Sequence, residues 1–422
     1  MQKANQYYTG ISEVLKTVHS ATIPVSDRAA VGKLIYNEDM KVLIASDSFK
    51  GCMTSQEANW QIESGIKRAD PSIECFSFPI SDGGEGMVDA FAFACKAKIY
   101  ETKGEDLYRK PIRVRYAYSE SKQTACIEAA SVVGLTLYDY SRRHVMDSSS
   151  YGLGMLCKEV LRQRKVRQLI IGLGGTGCND GGMGFLNAFG AVFYDRYRQV
   201  LEPCTKNLNK IAFIDKRSFN PPRGVTLIAA CDVNNPLLGA HGATWIFGKQ
   251  KGLSYLQQEM IEQGMSQLNA KIDQTFHVNM NAYAGAGAAG GLGGMLIGVF
   301  KAHMVSGLKI LEDGEMLNTL KECDFIFTGE GQTDSQSADG KVVSRLARLA
   351  RQYDVPMVVI SGALGPGFEK LYGQGVDAMF STADRAMSFS YALRHGPQKL
   401  EQEAWNLMRL ILAAQKSCRK NS

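Results

Sequence analysis

Acidic, glycine-containing loops carry most of the candidate chemistry in this sequence. The fullest of them follows a strand-like apolar run and contains Gly329, Glu330 and Asp334, after which Gly340 and Lys341 open a helical pattern. Glycine lets the backbone approach a ligand, carboxylates can hold a metal ion, and a lysine at the start of a helix can contact a phosphate. This combination predicts phosphoryl-transfer chemistry.

The same design recurs after other strand-like runs. One glycine turn would be weak evidence, because glycine turns end strands in proteins of every kind. Recurrence indicates instead that several loops supply carboxylates to one place. The further loops are residues 47–51, 81–86, 174–182 and 232–234.

The elements that must position these loops alternate along most of the chain. Apolar runs with strand character are followed by helical patterns, which predicts an α/β fold with a mostly parallel sheet and covering helices. In such sheets ligands gather at the carboxyl ends of the strands. All of the acidic loops follow strand ends, so we expect them at one edge of the sheet.

The middle of the chain breaks this alternation. Residues 111–117 and 125–128 have the pattern of short antiparallel strands, which indicates an inserted or second domain. A length of 422 residues also suits two domains better than one. We place the limits of the insertion near residues 87 and 284.

Composition excludes several classes of function. With 45% hydrophobic residues, 21% charged residues and a net charge of +6, the chain is typical of a soluble globular protein without a nucleic-acid patch. The ten cysteines include no C-x-x-C pair, so we expect a reducing cytoplasm and no zinc site. Residues 282–300 are uncharged, but seven of them are glycine, which argues against a membrane span.

A rival motif supports a different class of enzyme. Residues 172–177 match G-x-G-x-x-G after a strand, and Asp195 follows at close to dinucleotide-fold spacing, so an NAD-dependent oxidoreductase is the alternative function. Asp180 in the same loop would repel a pyrophosphate, and the other acidic loops would have no role. A P-loop is absent, because Val342 follows Lys341 where Ser or Thr is needed.

Seven ordered motifs resemble the type 1 glycerate kinases, a bacterial family, between about residues 41 and 415. They are DSFKG at 47–51, SDGGEG at 81–86, SSYGLG at 149–154, GGTGCNDGG at 174–182, DVNNPL at 232–237, GAGAAGGLG at 285–293 and TGEGQTDSQ from 328 with GK at 340–341. The chain departs from the family pattern at Gly177, Cys178, Gln332, Leu153 and Met155, which leaves open a catalytically inactive binding protein.

The resemblance implies a fold and an activity. It implies a Rossmann-like domain built from 41–86 and 285–415, an inserted second α/β domain at 87–284, an N-terminal extension at 1–40, and an active site in the cleft. The implied reaction moves the γ-phosphoryl group of ATP to a hydroxyl of D-glycerate, giving 2-phosphoglycerate, with Mg²⁺ required. The partners would be these small molecules, with neither nucleic acid nor membrane, and a homodimer stays open.

Role assignments follow from what phosphoryl transfer needs, which is positioning, a cation and hydrogen-bond donors. Asp180 is the expected general base, because the glycines after it let a hydroxyl approach, although capping of a helix is the alternative. Lys50 and Asp47 are the other catalytic candidates. Asp82, Glu85 and Asp232 are the candidate Mg²⁺ ligands, of which at most two should bind the ion directly. The residues expected to bind substrate or phosphate are Ser48, Gly83, Gly84, Gly174, Gly175, Thr176, Asn179, Asn234, Gly329, Glu330, Asp334 and Lys341.

Overall fold

The computed structural model describes residues 40–307, 309, 315–338 and 342–420. The predicted extension at 1–40 therefore lies outside the described residues, apart from residue 40. Gly340 and Lys341 also lie outside them. Within the described part of the chain, no helix combines the length and apolar character that crossing a membrane requires.

The described strands and helices alternate as the sequence predicts. The strands are β1 Lys41–Ile44, β2 Glu74–Ser77, β3 Lys98–Glu105, β4 Pro111–Ser119, β5 Thr124–Glu128, β6 Gln168–Gly172, β7 Val192–Tyr194, β8 Phe213–Asp215, β9 Thr226–Ala230, β10 His303–Val305, β11 Phe325–Thr328, β12 Gln332–Thr333, β13 Met357–Ser361, β14 Ala363–Leu364 and β15 Ala378–Ser381. The α-helices are α1 Ser55–Ala69, α2 Met87–Ala94, α3 Ala130–Val133, α4 Tyr151–Gln163, α5 Met183–Ala188, α6 Ala243–Lys251, α7 Tyr255–Phe276, α8 Leu292–Gly298, α9 Glu315–Leu320, α10 Ser335–Ala338, α11 Val342–Tyr353 and α12 Phe389–Lys420.

The first sheet is wholly parallel and has the order β15-β13-β11-β1-β2. Both of its faces are buried, because alternate residues of one strand enter different apolar cores: Leu43 packs into one core, while Val42 and Ile44 pack into the other. This double burial explains the continuous apolar runs, and it confirms the predicted Rossmann-like α/β unit.

The second sheet is mixed and has the order β10-β9-β6-β5-β4-β3. Strands β10, β9, β6 and β5 run parallel, and β5, β4 and β3 pair antiparallel, which confirms the antiparallel pieces expected in the middle of the chain. The chain enters this sheet after β2 and returns to the first sheet at β11. The second α/β unit is therefore inserted.

The inserted unit extends beyond the predicted limit at residue 284. β10 pairs with β9, and Leu292 and Met295 of α8 lie in the core of the second sheet, so residues 285–305 belong with that sheet and not with the first. Because residues 285–293 are rich in glycine, their pattern did not predict that they pack with the second sheet. A Cβ on Gly290 would lie 2.3 Å from the carbonyl oxygen of Cys178, so this segment needs glycine to cross another loop closely.

Helix α1 holds the acidic loop at residues 47–51 in position. Thr54 and Glu57 form a capping box at its start, and Gly65 packs against α12, where a Cβ would lie 2.4 Å from the carbonyl oxygen of Glu401. Ser55 Oγ donates to the carbonyl oxygen of Ser46 at 2.6 Å and ties the helix to the end of β1. The loop at 47–51 is thereby held at the carboxyl edge of the first sheet.

Candidate active site

The loop after β1 presents a buried carboxylate and an exposed ammonium side by side. Asp47 is 6% exposed, and its Oδ1 accepts a hydrogen bond from the backbone N–H of Ser48 at 2.7 Å. The hydroxyl of Ser48 is also buried, and among the described residues no hydrogen-bond partner reaches its Oγ. Lys50 lies at the tip of the loop with its side chain 64% exposed.

Four carboxylates surround Lys50. Its Nζ lies 3.9 Å from Asp82 Oδ2, and Asp82 is the main cause of a raised Lys50 pKa, with further contributions from Asp47, Glu330 and Glu85. Burial raises the pKa of Asp47 well above its usual range, and the charges of Asp82 and Glu330 raise it further. The loops after β1, β2 and β11 therefore do bring their charged residues together.

A cavity of about 430 Å³, which we name the edge cavity, opens at this edge of the first sheet. Of the predicted site residues, Asp47, Ser48, Lys50, Asp82, Glu330 and Asp334 line it. Its apolar wall was not predicted, because most of it comes from the distant helix α12. The apolar side chains on that wall are Phe49, Phe389, Ala392 and Leu393.

The loop after β11 is stiffened by hydrogen bonds of its own. Glu330 is 7% exposed and accepts a hydrogen bond from Thr333 Oγ1 at 2.9 Å. Asp334 Oδ1 accepts from the backbone N–H of Gln336 at 2.8 Å, which caps the short helix α10. Gly329 lies behind the cavity, where its carbonyl accepts the N–H of Asp47 at 2.9 Å.

A second cavity, of about 300 Å³, lies between loops of the two sheets, and we name it the cleft cavity. The predicted residues on its wall are Lys50, Asp82, Gly84, Glu85, Gly174, Gly175 and Thr176. Gly174 has to be glycine, because a Cβ there would lie 2.5 Å from Gly84 Cα. The N–H of Gly174 donates to the carbonyl of Gly83 at 3.0 Å, so Gly83 joins the two loops but does not line the cavity. Lys50 and Asp82 line both cavities.

Asp180 is held by the protein and does not line either cavity. It is fully buried, its Oδ2 accepts from Ser150 N, Ser150 Oγ and Gly184 N at 2.7–3.0 Å, and its Oδ1 accepts from Gly182 N at 3.1 Å. A carboxylate with both oxygens occupied in this way is poorly placed to receive a substrate proton. The geometry thus favours the capping alternative over the predicted general base.

This assignment of Asp180 predicts a stability defect. Asp180→Asn puts an amide N–H₂ against backbone donors, so we expect the free energy of unfolding to fall by roughly 1–3 kcal/mol. The kcat of the folded variant should fall by much less than the roughly 10²-fold to 10⁴-fold that removal of a general base costs. Denaturant unfolding and steady-state kinetics on one preparation measure both, with Asp195→Asn at a half-buried turn as control. A stable variant with kcat lowered more than about 10²-fold would restore the predicted base.

Three further predicted residues either line neither cavity or are not among the residues that the structure describes. Asn179 is buried, and its Nδ2 donates to Thr244 Oγ1 at 3.3 Å. Asn234 is exposed and lines neither cavity. Lys341 is not among the described residues, so its predicted phosphate contact stays a prediction.

The expected metal ligands do not form one cluster. Asp232 is half-buried between the cleft residues Cys231 and Val233, Asp82 lies between the two cavities, and Glu85 is exposed. Over the described ranges, no group of three Asp, Glu, His or Cys side chains is arranged to hold a metal ion. Asp82, Glu85 and Asp232 therefore do not form a three-ligand centre in the described structure, and which of them bind Mg²⁺ stays a prediction.

Glu128 is a buried carboxylate that lies between the end of β5 and the start of α2. It ends β5, it is 9% exposed, and its Oε1 accepts from the backbone N–H of Val88 at 2.7 Å in the first turn of α2. Burial is the main cause that raises the pKa of Glu128 to about 7, and the charges of Asp89 and Glu85 add to it. The burial of Glu128 could not be predicted from the sequence, because a glutamate at a strand end is usually exposed.

Glu128 makes stability fall as the pH rises. The folded pKa of about 7 exceeds the ordinary glutamate value of 4.5, so the folded protein binds more protons than the unfolded chain between these pH values. The stabilisation is complete below pH 4.5 and is lost as the pH rises through 7. Its contribution to the free energy of unfolding is about 3 kcal/mol. Glu128→Gln keeps the bond to Val88 and should flatten this slope in thermal unfolding from pH 5 to 8. Parallel slopes for wild type and variant would contradict the prediction.

Comparison with known proteins identifies the family. The model of the glycerate kinase family matches residues 42–412. The chain belongs to the glycerate kinase family. It is 34% identical over 368 residues to a glycerate kinase of Halalkalibacterium halodurans, covering 87% of this chain and 97% of that protein. It is 33% identical over 357 residues to the glycerate 2-kinase of Escherichia coli, covering 84% and 93%.

A solved glycerate kinase supports the same fold. The crystal structure of putative glycerate kinase 2 from Salmonella typhimurium LT2 superposes with a TM-score of 0.73 at 31% identity, covering 90% of this chain and all of that one. Membership of the glycerate kinase family confirms the resemblance drawn from the seven motifs.

The rival dinucleotide motif is wrong for this member of the glycerate kinase family. In a dinucleotide fold the third glycine opens a helix, whereas here α5 begins only at Met183, after further loop. Asp195 is a half-buried residue at a turn, where its Oδ1 accepts from Tyr197 N and Gln199 N beside the small β7-β8 sheet. It therefore has no place beside a nucleotide bound at Gly172 to Gly177.

Proposed function

We propose that this chain transfers the γ-phosphoryl group of ATP to a hydroxyl of D-glycerate, giving 2-phosphoglycerate. The observation that carries the proposal is that Lys50 and Asp82 line both the edge cavity and the cleft cavity, so the two cavities adjoin at these side chains. A kinase that joins two substrates needs such a junction, because the transferred group must touch both at once. Membership of the glycerate kinase family supplies the identity of the two substrates.

The edge cavity suits the nucleotide. It is the larger of the two, it lies at the carboxyl edge of a parallel sheet, and Phe49, Phe389 and Leu393 give it an apolar wall for a base. The cleft cavity suits the smaller acid, because glycines at 174 and 175 allow close approach of the backbone. The terminal phosphate then lies beside Lys50.

The proposed transfer is a direct displacement. The glycerate hydroxyl oxygen attacks the γ-phosphorus, the bond to the β-γ bridging oxygen breaks, and ADP leaves. Asp82 lines both cavities, and its Oδ1 is fixed by the N–H of Gly84 at 3.0 Å, so it is placed to orient the hydroxyl and take its proton. The ammonium of Lys50 stabilises the charge on the transferring group.

Magnesium is the ion that phosphoryl transfer generally uses, and when bound it neutralises charge on the phosphates. The residues that would hold it best are Asp47 and Glu330, together with the buried Ser48 Oγ that lacks a partner among the described residues. Burial is the main cause of the raised pKa of Asp47, and the charges of Asp82 and Glu330 add to it. Two carboxylates completed by phosphate and water oxygens match the preference of Mg²⁺. This set is an alternative to the candidates Asp82, Glu85 and Asp232 taken from the sequence.

Phosphorus NMR of the reaction tests the proposed function. Purified protein with ATP, Mg²⁺ and D-glycerate should give ADP and 2-phosphoglycerate, with L-glycerate and glycerol as poor acceptors. Absence of any phosphoglycerate at high enzyme concentration would favour a catalytically inactive binding protein. The location in the cytoplasm and the homodimer stay predictions, which fractionation and light scattering can test.

A further inference from the structure

Lys251, the last residue of α6, is a buried lysine that the proposed transfer does not use. It is 2% exposed, although lysine is seldom fully buried without a partner of opposite charge. Among the ion pairs of the described residues, none includes Lys251. No ion pair of the described residues therefore compensates this charge directly, and the nearby buried carboxylate of Asp180 acts on it only at longer range.

The hydrogen bonds of Lys251 occupy only part of its capacity. Its Nζ donates to the carbonyl oxygen of Cys178 at 2.6 Å and lies 3.5 Å from Asn179 Oδ1. An ammonium group has three N–H donors. Lys251 also lines the cleft cavity, so its remaining donor is available to a small molecule bound there.

Lys251 differs from Lys50, which also lines the cleft cavity. Lys50 lies among the carboxylates Asp82, Asp47 and Glu330, so its charge is already compensated. Lys251 lies beside the glycine loop and Gly290, whose backbone lets a ligand come close. A small anion in this cavity would supply the missing charge.

We propose that Lys251 binds the carboxylate of the acceptor substrate and so makes this enzyme select a hydroxy acid over a neutral polyol. The inference rests on the proposed function, and it adds a residue that determines acceptor specificity. Lys251 fixes one end of the acid by a charge-assisted hydrogen bond. The hydroxyl at the other end is then directed toward Asp82 and Lys50.

The protonation state of Lys251 supports this role and predicts a measurable pH dependence of substrate binding. Burial lowers the pKa of Lys251 to about 8, whereas burial raises the pKa values of Cys178 on the glycine loop and Cys231 on the cavity wall to about 12. The pKa of Asp180, also near Lys251, is raised by burial too. The other charged groups that face this region are Lys50, Asp82 and Glu85 on the cavity wall and Arg143 beside the end of α6. Deprotonation of Lys251 removes the cation, so capture of an anion should weaken as the pH rises through 8.

The test compares Lys251→Met with Lys251→Arg. Lys251→Met keeps the length and apolar stem without the charge, and it should lower kcat/KM for D-glycerate by about 10-fold to 100-fold with the KM for ATP unchanged. Calorimetric titration with D-glycerate and with its neutral amide, glyceramide, should show the loss for the acid only. Lys251→Arg should recover most of the binding of the acid. Its kcat/KM should also persist above the pH at which the wild type declines, near 8.

A purely structural role would give different results. If Lys251→Met weakened D-glycerate, glyceramide and ATP alike, or weakened none of them, the inference would be overturned. The wild-type pH profile needs no variant, and a kcat/KM for D-glycerate that stays flat to pH 10 would also overturn it. If the wild-type protein bound D-glycerate without phosphorylating it, the proposed function would be contradicted. The calorimetric titrations would still decide whether Lys251 binds the carboxylate.

Discussion

Lys50→Met should lower kcat by about 10²-fold to 10³-fold and leave the fold intact. Lys50 lines both cavities at the point where the phosphoryl group must pass, and its ammonium is the cation that three acidic loops have in common. Its side chain is 64% exposed, so losing it costs little packing. Steady-state kinetics with ATP and D-glycerate, together with a melting curve, would separate the two effects.

The control for this change is another lysine on the surface. Lys96 lies in a turn with its side chain 86% exposed, 3.9 Å from Glu315, and it lines neither cavity. Lys96→Met should change kcat by less than twofold, roughly the effect of an isolated surface ion pair. If Lys50→Met kept kcat within about threefold of the wild type, the phosphoryl group would not pass this residue.

Asp82→Asn should lower kcat by about 10²-fold to 10⁴-fold, the usual loss when a general base is removed. Asn keeps an oxygen to accept the N–H of Gly84, which Asp82 Oδ1 accepts at 3.0 Å, so the loop should keep its shape. The substitution removes the proposed proton acceptor, a carboxylate that lines both cavities and lies 3.9 Å from Lys50 Nζ. A rapid-quench measurement of the chemical step would show the loss directly.

Asp89→Asn is the matched control for Asp82. Asp89 lies on α2 a few residues further along, and its Oδ1 pairs with Arg115 at 2.6 Å on the surface, away from both cavities. The Asp89→Asn variant should have the same kcat as the wild type. Equal rates of the chemical step in the Asp82→Asn variant and the wild type would show that Asp82 is not the base. Glu85 would then be the remaining carboxylate on the cleft wall.

The positions of the loops could be predicted from the sequence, because they follow from local rules. Strands buried on both faces are continuous apolar runs, and loops with carboxylates after β1, β2 and β11 must meet at one edge of a parallel sheet. That reasoning placed Asp47, Lys50 and Glu330 together, and the structure brings them to the edge cavity. Even so, β2 at Glu74–Ser77 has no fully buried side chain, so its apolar pattern in the sequence is weak.

The directions of the side chains could not be predicted, because they depend on packing between distant segments. Asp180 turns away from the cavities since Ser150, on the approach to α4, satisfies it from the other side. Lys251 looks like a surface lysine in a run of polar residues, and only the fold buries it. The apolar wall from Phe389 and Leu393 comes from a helix more than 300 residues away from Lys50.

The most direct measurement is a crystal structure of the protein with a non-hydrolysable ATP analogue, Mg²⁺ and D-glycerate. We expect the base in the edge cavity against Phe389, the acid in the cleft cavity with its carboxylate on Lys251, and the terminal phosphate between Lys50 and Asp82. A nucleotide bound in the cleft cavity, or an acid that does not reach the junction of the two cavities, would contradict the account.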